Sequence, residues 1–252
     1  MNASKEAIVS KVPEVTLVFW IIKILCTTIG ETGGDAVSMS MNLGYLVSTG
    51  IFAAIFIVMV IVQTSAKKFH PVIYWATIVA TTTVGTTLAD FADRSLGLGY
   101  AGGVTILLAL LLGSLFVWYR TLGTVAVDTV ASPASEAFYW TTIMFSQTLG
   151  TALGDWVADS MGYGYGGAAI IFGALLAAVA AAYFWTKLSH VFLFWAAFIL
   201  TRPLGAVVGD FLDKPLSEGG LELSRYSATA ALLVLIIVCI FAFPHRPAVH
   251  RD

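Results

Sequence analysis

Apolar runs of helix length alternate with short polar breaks along almost the whole chain. Four of these runs align without gaps, each from a tryptophan to an aspartate fifteen positions later. They read WIIKILCTTIGETGGD (Trp20 to Asp35), WATIVATTTVGTTLAD (Trp75 to Asp90), WTTIMFSQTLGTALGD (Trp140 to Asp155) and WAAFILTRPLGAVVGD (Trp195 to Asp210). An aromatic residue precedes each Trp, and a glycine follows it by ten positions, at Gly30, Gly85, Gly150 and Gly205. Matches at this many fixed offsets indicate four copies of one structural repeat.

A turn-rich stretch and a second apolar run follow each repeat aspartate. The second runs lie at about residues 47–63, 103–119, 167–185 and 227–243. Because a membrane-spanning helix needs roughly 20 mostly apolar residues, each repeat predicts a helical hairpin. The predicted fold class is an all-α polytopic membrane protein with eight transmembrane helices and internal pseudo-symmetry.

The repeats are predicted at residues 13–64, 69–120, 134–186 and 189–244, between an N-terminal segment 1–12 and a tail 245–252. The tryptophans are spaced by 55, 65 and 55 residues, so ten extra residues fall in TLGTVAVDTVASPASE, between the second and third repeats. This insertion predicts two four-helix halves within one membrane domain. Since a two-helix repeat returns the chain to its starting side, all four first helices can surround a common axis.

Composition and charge support a membrane location. The chain is 58% hydrophobic and 11% charged, with a mean hydropathy of +0.88, whereas soluble domains carry about 25% charged residues. The termini and the loops between repeats hold Lys5, Lys11, Lys67, Lys68, Arg120, Lys187, Arg246 and Arg251. The turns within repeats hold Arg94, Lys214 and Arg225. By the positive-inside rule, this asymmetry predicts a multi-pass inner-membrane protein with both termini in the cytoplasm.

The four repeat aspartates are the main candidates for chemistry. A carboxylate near the C-terminal end of a helix meets the unfavourable pole of the helix dipole, and in lipid it costs on the order of 2.5–3.5 kcal/mol near the centre. Four such positions at one depth therefore predict an inward-facing polar site. The candidate metal ligands are Asp35, Asp90, Asp155 and Asp210, with Glu31 and Asp93 on the same helix faces. Alternatively, each aspartate binds backbone N–H groups of its own turn, and Asp159 and Asp213 are expected to be solvated.

Arg202 interrupts the apolar pattern in the middle of the fourth repeat, where the other repeats carry Thr27, Thr82 and Gln147. A buried arginine needs an acidic partner, so Arg202 is predicted to balance charge at the site. Lys23 is expected to extend its amine towards the membrane surface. The supporting polar candidates are Thr28, Thr82 and Gln147.

The repeated glycines predict close approach of helix backbones. The repeated tryptophans, Trp20, Trp75, Trp140 and Trp195, are compatible with an interfacial aromatic belt or with packing between repeats.

Clustered carboxylates with threonine hydroxyls form an oxygen environment that suits Mg²⁺, Ca²⁺ or Mn²⁺, and protons equally well. No nucleophile–base set or thiolate site is visible in the sequence, so neither an enzyme nor a prosthetic group is expected. The sequence favours a divalent-cation transporter, and specifically an exporter of manganese or a similar ion. The alternatives are a proton-coupled transporter of a small solute and a non-transporting scaffold or sensor. The expected partners are the lipid bilayer and the transported cation, and no nucleic acid is expected. The sequence is compatible with a homo-oligomer.

The order of aromatic-Trp, Gly and Gly/Ala-Asp in four tandem copies, with the stretches KVPEVTLVFWIIKIL and GETGGD, resembles a family of bacterial membrane-anchored proteins. That family is defined by four copies of a repeat of unknown function. The resemblance covers about residues 11–244 and implies a bacterial inner-membrane protein, without supplying a known substrate.

Overall fold

The computed structural model describes residues 8–250, so Lys5 and Arg251 lie outside the described residues. The described part contains eight long helices: α1 (Leu17–Asp35), α2 (Gly44–Ser65), α3 (Pro71–Asp90), α4 (Gly99–Leu122), α5 (Pro133–Asp155), α6 (Gly164–Trp185), α7 (His190–Asp213) and α8 (Arg225–Ala242). Seven of them are long and apolar enough to cross a membrane. The exception, α5, carries more hydroxyl and amide side chains, which lower its hydropathy.

The first helices of the four repeats form a closed ring in which α1 packs on α3, α3 on α5, α5 on α7, and α7 back on α1. Each second helix packs outside the ring, along the first helix of the next repeat: α2 on α3, α4 on α5, α6 on α7, and α8 on α1. The repeat is therefore a hairpin in its connectivity, whereas its packing is mainly with the neighbouring repeats. This arrangement interlocks the four repeats around one axis.

Small residues allow the ring helices to approach each other closely. A Cβ atom added to Gly30 would collide with Thr82 of the next repeat. The same holds for the other three repeat glycines, which face Gln147, Arg202 and Thr27 in turn around the ring. The four contacts join equivalent positions, because the residue seven places after each Trp rests on the glycine of the preceding repeat.

The outer helices expose large apolar side chains. Ile57, Val58 and Ile61 of α2 are each more than half exposed, and the other outer helices show similar faces. Exposed apolar surface of this extent is covered by lipid in a membrane protein.

We call the two ends of the bundle the Trp end and the Asp end, after the repeat residues that lie there. At the Trp end, Trp75, Trp140 and Trp195 are buried and only Trp20 is partly exposed. Each repeat tryptophan packs against the aromatic residue that precedes it and against the equivalent aromatic residue of the preceding repeat, as Trp75 does with Tyr74 and Phe19. Packing between repeats therefore accounts for these residues better than an interfacial belt does.

A two-stranded antiparallel sheet, which the sequence analysis did not predict, joins the two chain ends at the Trp end. Strand β1 (Ile8–Pro13) pairs with β2 (Pro247–His250). The insertion between the second and third repeats holds this sheet, since the Lys11 amide donates to the Val130 carbonyl at 2.8 Å and the Ser10 hydroxyl to the Val127 carbonyl at 2.7 Å. Residues 8–13 and 247–250 are thus ordered, because they pair with each other and the insertion offers β1 backbone partners.

The first helices do not stop at the repeat aspartates. In three repeats one π-helical turn follows, at Ala36–Ser40, Phe91–Ser95 and Trp156–Ser160, and in the fourth the α-helix continues to Asp213. The sequence analysis predicted a turn-rich stretch after each aspartate and did not fix where each helix ends. This extra turn brings new side chains towards the Asp end of the axis.

Candidate functional site

Each ring helix turns one row of side chains, spaced four residues apart, towards the axis. At 3.6 residues per turn, successive members of the row lie one above the other on adjacent helical turns. All the side chains are buried, and repeat equivalence groups them into five layers. From the Trp end to the Asp end they are the aromatic layer (Phe19, Tyr74, Tyr139, Phe194), the Lys23 layer (Lys23, Ile78, Ile143, Phe198), the Arg202 layer (Thr27, Thr82, Gln147, Arg202), the Glu31 layer (Glu31, Thr86, Thr151, Ala206) and the Asp layer (Asp35, Asp90, Asp155, Asp210).

The four carboxylates of the Asp layer are between 1% and 3% exposed and share two basic side chains. Arg94 lies 3.0 Å from Asp90 and 3.0 Å from Asp155. Lys214 lies 2.7 Å from Asp35 and 3.0 Å from Asp210. Both bases follow a repeat aspartate by four residues, so the layer combines a four-fold arrangement of acids with a two-fold arrangement of bases.

Within the part of the chain that the structure describes, two groups of carboxylates lie close enough to share a metal ion. Oxygens of Glu31, Asp35 and Asp90 lie within 4.8 Å of one another, and so do oxygens of Asp35, Asp210 and Asp213. Asp35 belongs to both groups, and its Oδ1 has no hydrogen-bond partner among residues 8–250. The predicted ligands Glu31, Asp35, Asp90 and Asp210 are thus brought together, whereas Asp155 is held through Arg94.

Arg202 fills the axis next to the Asp layer, on the side that faces the Trp end. Its Nη2 lies 3.0 Å from Glu31 and also donates to the hydroxyls of Thr86 and Thr151. The fully buried guanidinium therefore bridges the polar members of the Glu31 layer from all three other repeats. An acidic partner from another repeat was predicted, and Glu31 occupies that place.

Two predicted site residues lie elsewhere. Asp93 packs against Gly103 of α4, and neither carboxylate oxygen has a partner within residues 8–250. The prediction assumed an ordinary α-turn, but the wider π-turn after Asp90 keeps Arg94, not Asp93, on the axis face. Thr28 lies beside the axis row, and its hydroxyl donates to the Ile24 carbonyl of its own helix at 3.0 Å.

Four functional candidates were missed or misjudged from sequence: Arg94, Lys214, Asp213 and Arg225. Asp213 was expected to be solvated, but it is 6% exposed and lies 3.1 Å from Arg225. Asp159 is exposed, as expected. The signal that would have found Arg94 and Lys214 is their common offset of four residues from a repeat aspartate.

The alternative of turn capping receives no support from the geometry. Asp35, Asp90 and Asp155 each precede a π-turn, and none of their side chains caps it with a hydrogen bond. The carboxylates instead accept from basic side chains.

Ion pairs connect six axial acids (Glu31, Asp35, Asp90, Asp155, Asp210, Asp213) with four bases (Arg94, Arg202, Lys214, Arg225). Burial disfavours the charge on Lys214, but the carboxylates of Asp210 and Asp35 outweigh burial and hold the pKa of Lys214 well above its ordinary value. With every group ionised, six acids against four bases leave two negative charges near the Asp end.

Comparison with known proteins gives one family. The family described as Repeat of Unknown Function (DUF347) matches residues 18–69, 73–131, 138–189 and 193–245. No curated protein and no solved structure shows significant similarity. The four matches follow the four Trp-to-Asp copies and together cover most of the chain, which therefore belongs to the DUF347 repeat family.

Proposed function

We propose that the chain is a polytopic membrane transporter of a divalent metal cation, with the cation bound at the Asp end of the ring. The observation that carries the proposal is the pair of buried carboxylate groups that share Asp35. Carboxylate and hydroxyl oxygens suit hard or borderline cations such as Mg²⁺, Ca²⁺ and Mn²⁺.

Charge balance supports a dication. The axial acids exceed the bases by two, so one divalent ion neutralises the site while Arg94 and Lys214 stay in place. A buried cluster with excess negative charge is unfavourable without such an ion. Arg94 and Lys214 also reduce the repulsion between the four aspartates when no cation is bound. A carrier needs this property in order to return without its cargo.

The proposed orientation follows from the positive residues. Lys11, Lys67, Lys68, Arg120, Lys187 and Arg246 belong to the Trp end, and Arg94, Lys214 and Arg225 to the Asp end. We therefore place the Trp end in the cytoplasm. The closed aromatic and Arg202 layers then separate the site from the cytoplasm, so transport requires these layers to open. Export of manganese or a similar ion is the direction we propose.

The test is metal accumulation in cells that lack the protein, express it, or express variants at matched abundance. Deletion should raise cellular manganese and lower manganese tolerance, and the wild type should restore both. Asp159→Asn is the matched control, because Asp159 is an exposed acid of the same end. Unchanged accumulation of Mn²⁺, Mg²⁺ and Ca²⁺ in the deletion strain would reject the proposal.

One observation favours a second candidate, a proton-coupled transporter of a small solute. Every carboxylate of the Asp layer already lies within 3.0 Å of a basic group. Protonation would break such pairs without any metal. Proteoliposomes separate the candidates, because metal flux without a pH gradient supports the first and solute flux that requires one supports the second. Absence of both fluxes would favour the third alternative, a scaffold or sensor that transports nothing.

A further inference from the structure

The side of Arg202 that faces the Trp end carries polar groups that the cation proposal does not use. Lys23 and Gln147 are completely buried on the axis, in adjacent layers of opposite repeats. The Lys23 Nζ and both amide atoms of Gln147 have no hydrogen-bond partner among residues 8–250. The Arg202 Nε is likewise without one, although Nη2 of the same guanidinium bonds Glu31, Thr86 and Thr151 of the Glu31 layer.

Contacts place these groups around one short stretch of the axis. The Lys23 amine lies 4.1 Å from the centre of the Phe198 ring, and Phe198 is one turn before Arg202. The side-chain carbons of Arg202 rest on Gly150, which is one turn after Gln147. The unpartnered donors from α1, α5 and α7 thus converge on one stretch of the axis, which runs from the Lys23 layer to the Arg202 guanidinium.

The chemistry of this convergence is that of an anion site. The ammonium of Lys23 offers three hydrogens, the amide of Gln147 two and the Arg202 Nε one, against a single amide oxygen as acceptor. The charge of Arg202 is matched by Glu31 at 3.0 Å, whereas no carboxylate pairs with Lys23 within the described residues. A protonated Lys23 adds one unmatched positive charge to this stretch, in surroundings of low dielectric constant where such a charge is unfavourable without a counter-ion.

We propose that a small monovalent inorganic anion, of the size of chloride, binds on the axis between Lys23, Gln147 and Arg202. The anion accepts from the Lys23 ammonium, the Gln147 amide and the Arg202 Nε, and it neutralises Lys23. Ile78, Ile143 and Phe198 complete the Lys23 layer with apolar side chains, which offer the ammonium no hydrogen-bond acceptor. This site is separate from the carboxylate groups, because the Arg202–Glu31 pair lies between them.

The repeats themselves supply conservative variants. Lys23→Ile installs the residue found at the equivalent position of repeats two and three, and Gln147→Thr installs that of repeats one and two. Both changes remove donors while keeping a side chain that the ring accommodates elsewhere. Lys68→Gln is the control, since Lys68 is an exposed lysine near the same end.

The test is thermal unfolding of the detergent-solubilised full chain, purified throughout in potassium chloride, potassium bromide or potassium gluconate at one ionic strength. Separate purifications are needed because the closed layers on both sides make exchange slow. At 100 times its Kd, the halide should raise Tm by about 5–10 °C over gluconate. The difference should vanish in Lys23→Ile, shrink in Gln147→Thr and persist in Lys68→Gln.

An equal Tm of the wild type in halide and gluconate would mean that water alone fills the space, and it would overturn the proposal. A halide shift that survives in Lys23→Ile would overturn it as well. If either variant fails to fold, broadening of the ³⁵Cl resonance by the wild-type protein, reversed by excess bromide, decides the question. None of these measurements involves a divalent cation, so they fail or succeed independently of the proposed metal transport.

Discussion

Replacing Asp35 by asparagine tests the proposed cation site most directly, because Asp35 is the one carboxylate shared by both groups. The change keeps shape and one oxygen, and it removes one negative charge. It also leaves Lys214, at 2.7 Å from Asp35, with Asp210 as its main partner. The expected result is markedly weaker divalent binding with retained protein abundance.

The magnitude follows from Coulomb's law. Two unit charges 4 Å apart at an effective dielectric constant of 20 interact by about 4 kcal/mol, so a dication and a carboxylate interact by about 8 kcal/mol. Reorganisation of the site and the remaining amide oxygen offset most of this Coulomb energy, so the expected loss is about 2 kcal/mol. That loss weakens binding about 30-fold.

The assay is manganese binding to the purified protein, combined with efflux from cells at matched abundance. Asp90→Asn should behave like Asp35→Asn, since Asp90 belongs to the group that contains Glu31. Asp210→Asn should be milder, because Lys214 keeps Asp35 as a partner and the Glu31 group stays intact. Asp159→Asn should match the wild type. Normal binding and efflux by both Asp35→Asn and Asp90→Asn would refute the site.

Three further predictions concern the ring and its orientation. Arg202→Met should destabilise the protein by about 3–5 kcal/mol, because it leaves buried Glu31 unpaired, and adding Glu31→Gln should recover much of the loss of Tm. Gly85→Ala should cost about 1–3 kcal/mol, since its Cβ would lie 2.9 Å from the Gln147 Cβ, and lower the Tm accordingly. Cysteines introduced at the exposed Ser65 and Ser95, in a chain without Cys26 and Cys239, should react with an impermeant maleimide from opposite sides of the membrane.

Matched controls make these outcomes decisive. Gly113→Ala on the outer face of α4 meets no atom within 4 Å, so it should be neutral or slightly stabilising. Equal Tm values for Gly85→Ala and Gly113→Ala would contradict the close packing of the ring. A stable Arg202→Met single variant would contradict the role of Arg202 as the partner of Glu31. Labelling of both cysteines from one side would contradict the topology.

The sequence alone determined the repeat, the helix count and the positions of the acids. These features are periodic along the chain, so the Trp-to-Asp spacing and the apolar runs specify them without knowledge of contacts. The need of buried Arg202 for an acid also follows from one residue and the solvation of charge. The packing of each outer helix on the next repeat does not follow from the sequence, because an apolar outer helix could pack equally well on its own repeat or on the neighbouring one.

Only the tertiary structure decided which charges meet. Arg94 and Lys214 belong to turns in the sequence, and a π-turn after Asp90 and an extended α7 bring them onto the axis. The same turn moves Asp93 away from the Asp layer towards Gly103. The terminal sheet likewise depends on contacts with the insertion, which lies more than 100 residues along the chain from either strand. For example, the Ser10 hydroxyl donates to the Val127 carbonyl across 117 positions. Such pairings join residues distant in sequence, and hydrophobic periodicity carries no information about them.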